Sequence, residues 1–221
     1  MDRFYAGFVR RGDLVFDIGA HVGDRVASFR RLGARVVAVE PQPALVGVLR
    51  LFYGRSAAVA IEAVAVGRAA GVTSLMINAD NPTVSTASPA FVSAARDAPG
   101  WDTQCWTTSV QVPVTTLDAL IEKHGLPSFI KIDIEGFEAE ALRGLSRAVK
   151  ALSFEFTTIQ RDVARACIER CVALGYTRFN AALGESQTFV NTHWVGGDAI
   201  ARWLMALPHE ANSGDIYAAL A

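Results

Sequence analysis

Three carboxylates and a lysine carry most of the chemistry this sequence offers. In Phe129-Ile130-Lys131-Ile132-Asp133-Ile134-Glu135, the polar residues alternate with apolar ones, so in an extended strand Lys131, Asp133 and Glu135 share one side. Carboxylates so placed orient an acceptor, take its proton or hold a cation. Asp133 is the first candidate for orienting an acceptor or a cofactor; Glu135 is the second, as base or as support for the turn at Gly136. Glu155, near the end of a later apolar run, extends the group toward a cluster able to hold Mg²⁺. The spacing permits that metal without demanding it, and no metal ligand is assigned. His193, beside Trp194, is an alternative base because imidazole titrates near neutral pH.

A second constellation lies near the start, in Val15-Phe16-Asp17-Ile18-Gly19-Ala20-His21-Val22-Gly23. A buried strand ends there at a glycine turn and a helix begins at once, the arrangement in which main chain closely approaches a ligand. Asp17 is costly at the end of an apolar strand unless it organises the turn or meets the ammonium of a bound amino acid. Glu40-Pro41 closes the next strand, where a carboxylate accepts hydrogen bonds from two ribose hydroxyls. Both NAD and S-adenosylmethionine carry such a ribose. The glycines separate them: a pyrophosphate needs G-x-G-x-x-G, and here Asp17 and His21 stand two positions either side of Gly19. The cofactor set is therefore Asp17, Gly19, Ala20, His21, Gly23, Glu40, Pro41 and Asp133, with Ala65 and Val66 leaving room for a flat adenine. An NAD-type oxidoreductase and a cofactor-binding module without catalysis are the rival readings.

These residues need a scaffold, and alternating strands and helices supply one. Leu14–Ile18, Arg35–Val39, Ala57–Val66, Phe129–Ile134 and Leu152–Phe156 read as buried strands. Helices fit 24–32, from Pro43 to about Tyr53, 117–124, about 137–149, 161–174 and 199–207. Tyr176–Ala182 and Gln187–Trp194 suggest an antiparallel edge pair. The expected fold is α/β: a doubly wound, mostly parallel seven-stranded sheet with an antiparallel edge hairpin, Rossmann-like as in class I methyltransferases. One domain spans 1–221. Within it, 68–112 forms an insertion or substrate loop, holding an extra strand at 72–78, then a Ser/Thr/Pro/Ala-rich stretch with weak periodicity. Asn81, Ser85 and Trp101 are its candidate acceptor contacts.

Composition narrows the partners. Basic and acidic residues number 21 and 22, which argues against gripping nucleic acid through net charge. No apolar run reaches the ~18–20 residues of a membrane span, and no signal peptide is evident. Cys167 and Cys171, four apart on a helix, read as core residues, and a reducing cytoplasm is the expected compartment.

The sequence resembles the FkbM-type methyltransferases. The resemblance rests on Val15–Gly23, Val39-Glu40-Pro41, Val114-Thr115-Thr116-Leu117-Asp118 and above all Phe129–Glu138 followed by Leu142-Arg143-Gly144. It implies a class I fold, S-adenosylmethionine as methyl donor, and O-methylation of a hydroxyl on a sugar or small metabolite. His21 stands where the family commonly has Asn. Only about a dozen residues precede the first strand, so part of the usual enclosure is expected to be missing or supplied by a second copy in a homo-oligomer.

Overall fold

The computed structural model describes residues 1–221. After a short helix α1 (Asp2–Tyr5), strand β1 (Leu14–Ile18) is buried along its whole length. Helix α2 (Asp24–Arg31) starts directly after the glycine turn, with Gly23 at φ 94° as its cap, and β2 (Arg35–Val39) follows. Pro43 sits in the first turn of α3 (Pro43–Tyr53), where its missing N–H breaks no hydrogen bond.

The strand expected over 57–66 proves to be two. β3 (Val59–Glu62) pairs parallel with β2, whereas β4 (Ala65–Val66) turns away into a second sheet. That sheet is completed by β5 (Gly71–Ile77) and β6 (Thr108–Thr115), antiparallel to each other, with β6 in the middle. Between them lies α4 (Pro89–Arg96), whose cap Ser88 accepts a hydrogen bond from the Phe91 N–H. The stretch with weak periodicity is thus structured. Its signal was faint because α4 buries only Phe91 and Ala95, and β6 buries only Val112.

The chain continues through α5 (Leu117–His124), β7 (Phe129–Ile132), α6 (Glu138–Arg143), β8 (Ala151–Thr157), α7 (Arg161–Ala173), β9 (Arg178–Leu183), α8 (Gly197–Ala206) and β10 (Ser213–Ala219). Three expectations change here. β7 ends at Ile132, so the alternation through Glu135 does not hold. α6 stops at Arg143, short of the expected end near Val149, and at Gly144 the chain lies so close to the Gly67 carbonyl that no side chain would fit. Residues 187–194 form no strand; Phe189 and Trp194 instead pack into an aromatic cluster with Phe4, Phe8 and Tyr217. The antiparallel partner at the edge is β10, which lies between β8 and β9 and runs opposite to both.

The main sheet has the order β3-β2-β1-β7-β8-β10-β9, parallel except for β10. Side chains of β1 alternate between its faces: Leu14, Phe16 and Ile18 join the core under α5–α8, and Val15 joins the core under α1–α3. From β1 the chain winds first toward β3 and later, through β7, the other way. Ligands of open α/β sheets bind at such a reversal, outside the carboxyl ends of the strands. Here that point falls between β1 and β7. No helix is long and apolar enough to cross a membrane.

Candidate active site

The β1 turn is locked by main chain. Gly19 N and Ala20 N both donate to the Val39 carbonyl, at 2.9 and 3.0 Å, tying the turn to the end of β2. On the other side Asp133 N donates to the Ile18 carbonyl at 2.9 Å, and a Cβ built on Gly19 would lie 1.8 Å from the Asp133 carbonyl oxygen. With φ at 85° as well, this position accepts only glycine. Gly23 serves packing instead: a side chain there would strike Tyr53 and Leu49, and its carbonyl accepts the Tyr53 hydroxyl.

Glu40 is buried at the end of β2, its two oxygens accepting from His21 N at 2.9 Å and Gln42 N at 2.8 Å. Burial pushes its carboxyl up to about 7, against the two N–H donors that favour the charge. Asp17 is almost fully enclosed and neither of its oxygens has a partner; burial raises it to about 6.

At the ends of β7 and β8 the electrostatics reverse. Lys131 is completely buried and donates to Asp133 at 3.0 Å and to Asp215 of β10 at 2.7 Å. Burial opposes charge on Asp133, but Lys131, Arg25 and a hydrogen bond from Glu155 outweigh it and hold the carboxyl below its ordinary range. Glu135, at φ 54°, turns back toward Asp133 and Glu155, and carboxylate oxygens of the three lie within 4.8 Å of one another. Burial, then the neighbouring Asp133 charge, pushes Glu135 well above the usual carboxylate range, and Glu155 likewise. Glu138 holds this turn in shape, accepting from Ile134 N at 3.0 Å and Gly136 N at 3.2 Å. Thr86 clamps it from the second sheet, its hydroxyl donating to the Glu135 carbonyl at 2.6 Å.

One cavity of about 630 Å³ joins both regions, within the ~300–1,000 Å³ typical of small-molecule and cofactor sites. A family model, the methyltransferase FkbM domain, matches residues 17–166, which include the β1 turn, Glu40 and the Asp133 turn. The chain belongs to the FkbM methyltransferase family.

Solved structures of similar outline include a TehB-like S-adenosylmethionine-dependent methyltransferase from Corynebacterium glutamicum, at 12 % identity and a TM-score of 0.48, covering 100 % of this chain and 86 % of the other. A precorrin-6y C5,15-methyltransferase from Geobacter metallireducens gives 15 % and 0.45, with coverage of 99 % and 86 %. Fibrillarin from Aeropyrum pernix, solved with natively bound S-adenosylmethionine, gives 9 % and 0.47, with coverage of 96 % and 68 %. No curated protein is similar enough to count as a match.

The methyl donor implied for an FkbM protein is S-adenosylmethionine, and the residues present fit it. Gly19, Ala20, His21, Glu40, Pro41, Ala65, Val66 and Asp133 all line the cavity. When that donor is bound, Glu40, fixed by two backbone amides, would be the carboxylate to hold ribose hydroxyls, and the apolar wall of Ala65, Val66, Leu75 and Val84 would receive adenine. Asp17 and Gly23 are not among the residues that line the cavity. His193 is exposed on the irregular segment after β9 and lies outside the cavity, because its expected strand does not form. Ser85 and Trp101 reach the cavity; Asn81 does not, and its amide binds Gln104 instead.

Several residues of the site carried no sequence signal strong enough to name them. Arg25 bridges Asp133 and Glu185, at 3.8 and 2.6 Å; a cation two residues past Gly23 was the available clue. Asp215 sits in an apolar tail whose lone charge hinted at a buried partner. Thr157, Asn212 and Ser213 line the cavity only because β10 lies against β8.

Proposed function

We propose that this chain O-methylates a hydroxyl of a small metabolite or sugar, in a single domain whose 68–112 segment helps to enclose the acceptor. The observation that carries this reading is the Asp133–Glu135–Glu155 group, which faces the cavity beside the glycine turn. When bound, S-adenosylmethionine supplies a methyl group already activated by its sulfonium charge. The chain's task is then positional and protolytic. Asp133, kept ionised by Lys131 and Arg25, orients the acceptor hydroxyl. Glu135, whose burial makes it a stronger base once ionised, takes the hydroxyl proton as the oxygen–methyl bond forms. Glu138 and Thr86 keep that carboxylate in place.

Calorimetric titration with S-adenosylhomocysteine, with NAD in parallel, tests the cofactor; methyl release onto a panel of hydroxylated compounds tests the chemistry. Micromolar binding of the first ligand alone is expected, with Glu135→Gln losing turnover but keeping that affinity. Binding of NAD alone, or full turnover by Glu135→Gln, would overturn the assignment.

A further inference from the structure

Ionised together, the carboxylates at the acceptor end would outnumber the cations beside them. Asp133, Glu135, Glu155, Asp215 and Glu185 share two cations, and both are committed: Lys131 to Asp133 and Asp215, Arg25 to Asp133 and Glu185. Glu155 has no cation and is left with a hydrogen bond to Asp133, while Glu135 is left with no partner. Its residue is only 9 % exposed, its carboxylate has no hydrogen-bond or ion-pair partner, and it lines the cavity. His21, the other basic group on the wall, is biased toward its neutral form by burial. Among the other lining side chains, Thr157, Ser213, Asn212 and Trp101 are neutral.

Resting on the methyltransferase reading above, we infer that the acceptor carries a cationic amine close to the hydroxyl that is methylated, and that Glu135 and Glu155, with Asp133, form the subsite for it. An ammonium directs its N–H bonds tetrahedrally, so acceptors at about 2.8 Å from nitrogen stand about 4.6 Å apart. One carboxylate oxygen from each of the three residues lies within 4.8 Å of the others, so a single ammonium can reach all three. The protein already builds such a nest once, around the ammonium of Lys131. The same field repels phosphate and carboxylate, so amino alcohols and aminosugars fit this end, and sugar phosphates and nucleic acids do not.

The test uses the full chain saturated with S-adenosylhomocysteine and a panel of matched pairs: glucosamine and glucose, galactosamine and galactose, serinol and glycerol, 2-aminoethanol and ethylene glycol. Calorimetry or ligand-observed NMR gives relative affinities. At least one amine is expected to bind 10-fold or more tighter than its neutral twin. Glu155→Gln is expected to erase most of that preference while S-adenosylhomocysteine affinity stays within about 2-fold, which also shows the variant to be folded. No amine preference anywhere in the panel overturns the inference. So does a Glu155→Gln variant that loses the cofactor product instead, which assigns the group to the cofactor. Binding of Mg²⁺ alone, lost in Glu155→Gln and unaccompanied by amine preference, assigns the carboxylates to a metal and also overturns it. Failure of wild-type protein to bind S-adenosylhomocysteine is a separate result, and removes the underlying reading.

Discussion

At the carboxyl ends of β1 and β2, the cavity wall is made by main chain: paired N–H groups on the Val39 carbonyl, a glycine pressed against the Asp133 carbonyl, and Glu40 gripped by two backbone amides. Across the cavity, at β7 and β8, the wall is made by side chains from separate segments, with Ser85 from beyond β5, Trp101 from the stretch before β6 and Asn212 from the lead into β10. A backbone-built wall is rigid and tolerates few residues. A side-chain-built wall is adjustable, as are binding surfaces carried on connecting segments.

The sharpest way to break this contrast is Gly19→Ala. Its Cβ would meet main chain on both counts, the 1.8 Å approach to the Asp133 carbonyl and the left-handed φ of 85°. We expect a loss of roughly 3–4 kcal/mol of stability by chemical denaturation, accompanied by loss of S-adenosylhomocysteine binding. A variant as stable as the parent would show that the β1 turn is not set by backbone packing.

Next in size is Glu40→Gln. Replacing a carboxylate that accepts from two amides and is placed for the ribose should weaken S-adenosylhomocysteine on the order of 10- to 100-fold. Because burial raises Glu40 to about 7, the wild-type site gains its charged form as pH rises through neutrality. Affinity should therefore increase between pH 6 and 8, and in Glu40→Gln that rise should vanish. A pH-independent wild-type affinity would separate Glu40 from the cofactor.

The same contrast explains what the sequence could reveal. The β1 turn and Glu40 stand at the ends of two successive strands, and their placement on one cavity follows from strand ends and glycine spacing, so this side of the cavity was legible. The parallel strands were legible for the same reason, as short apolar runs between helices. β10 was not, since Gly214 and Asp215 interrupt its apolar pattern and Asp215 is buried only because Lys131 meets it across the sheet. His193 was misplaced by the converse error: Phe189 and Trp194 look like strand residues but serve an aromatic cluster. Glu135 was named from alternation along a strand, yet it reaches the cluster because the strand has ended and φ turns positive.

Glu138 offers a smaller effect confined to the side-chain wall. Glu138→Ala leaves the Ile134 and Gly136 N–H groups without their acceptor, and should cost about 1–3 kcal/mol of stability and about 10-fold in turnover. S-adenosylhomocysteine affinity should change by less than about 3-fold, and Glu138→Gln, which keeps an accepting oxygen, should recover most of the turnover. Burial holds this carboxyl up to about 7, so the folded state binds its proton more tightly than the unfolded chain. Its contribution to stability is then full below the unfolded value and declines as pH rises toward 7. Glu138→Gln should flatten that decline in a series of denaturation curves; an unchanged slope would assign the pH dependence elsewhere.

The smallest expected effect tests whether the acceptor wall is adjustable in the way its construction implies. Trp101 donates from Nε1 to the Asn212 Oδ1 at 3.1 Å, linking the segment before β6 to the start of β10 between two residues that line the cavity. Its ring also meets Phe91 edge-on, with centroids 5.4 Å apart. Trp101→Phe keeps an aromatic ring against Phe91 and removes only the donor, so a net hydrogen bond of about 1 kcal/mol is lost, or about 5-fold in a binding constant. That loss should appear in the KM for the acceptor, with kcat and cofactor affinity nearly unchanged, because the bond spans the acceptor wall and touches neither the β1 turn nor Glu135. A fall in cofactor affinity as large as the rise in KM would mean that the two walls move as one unit.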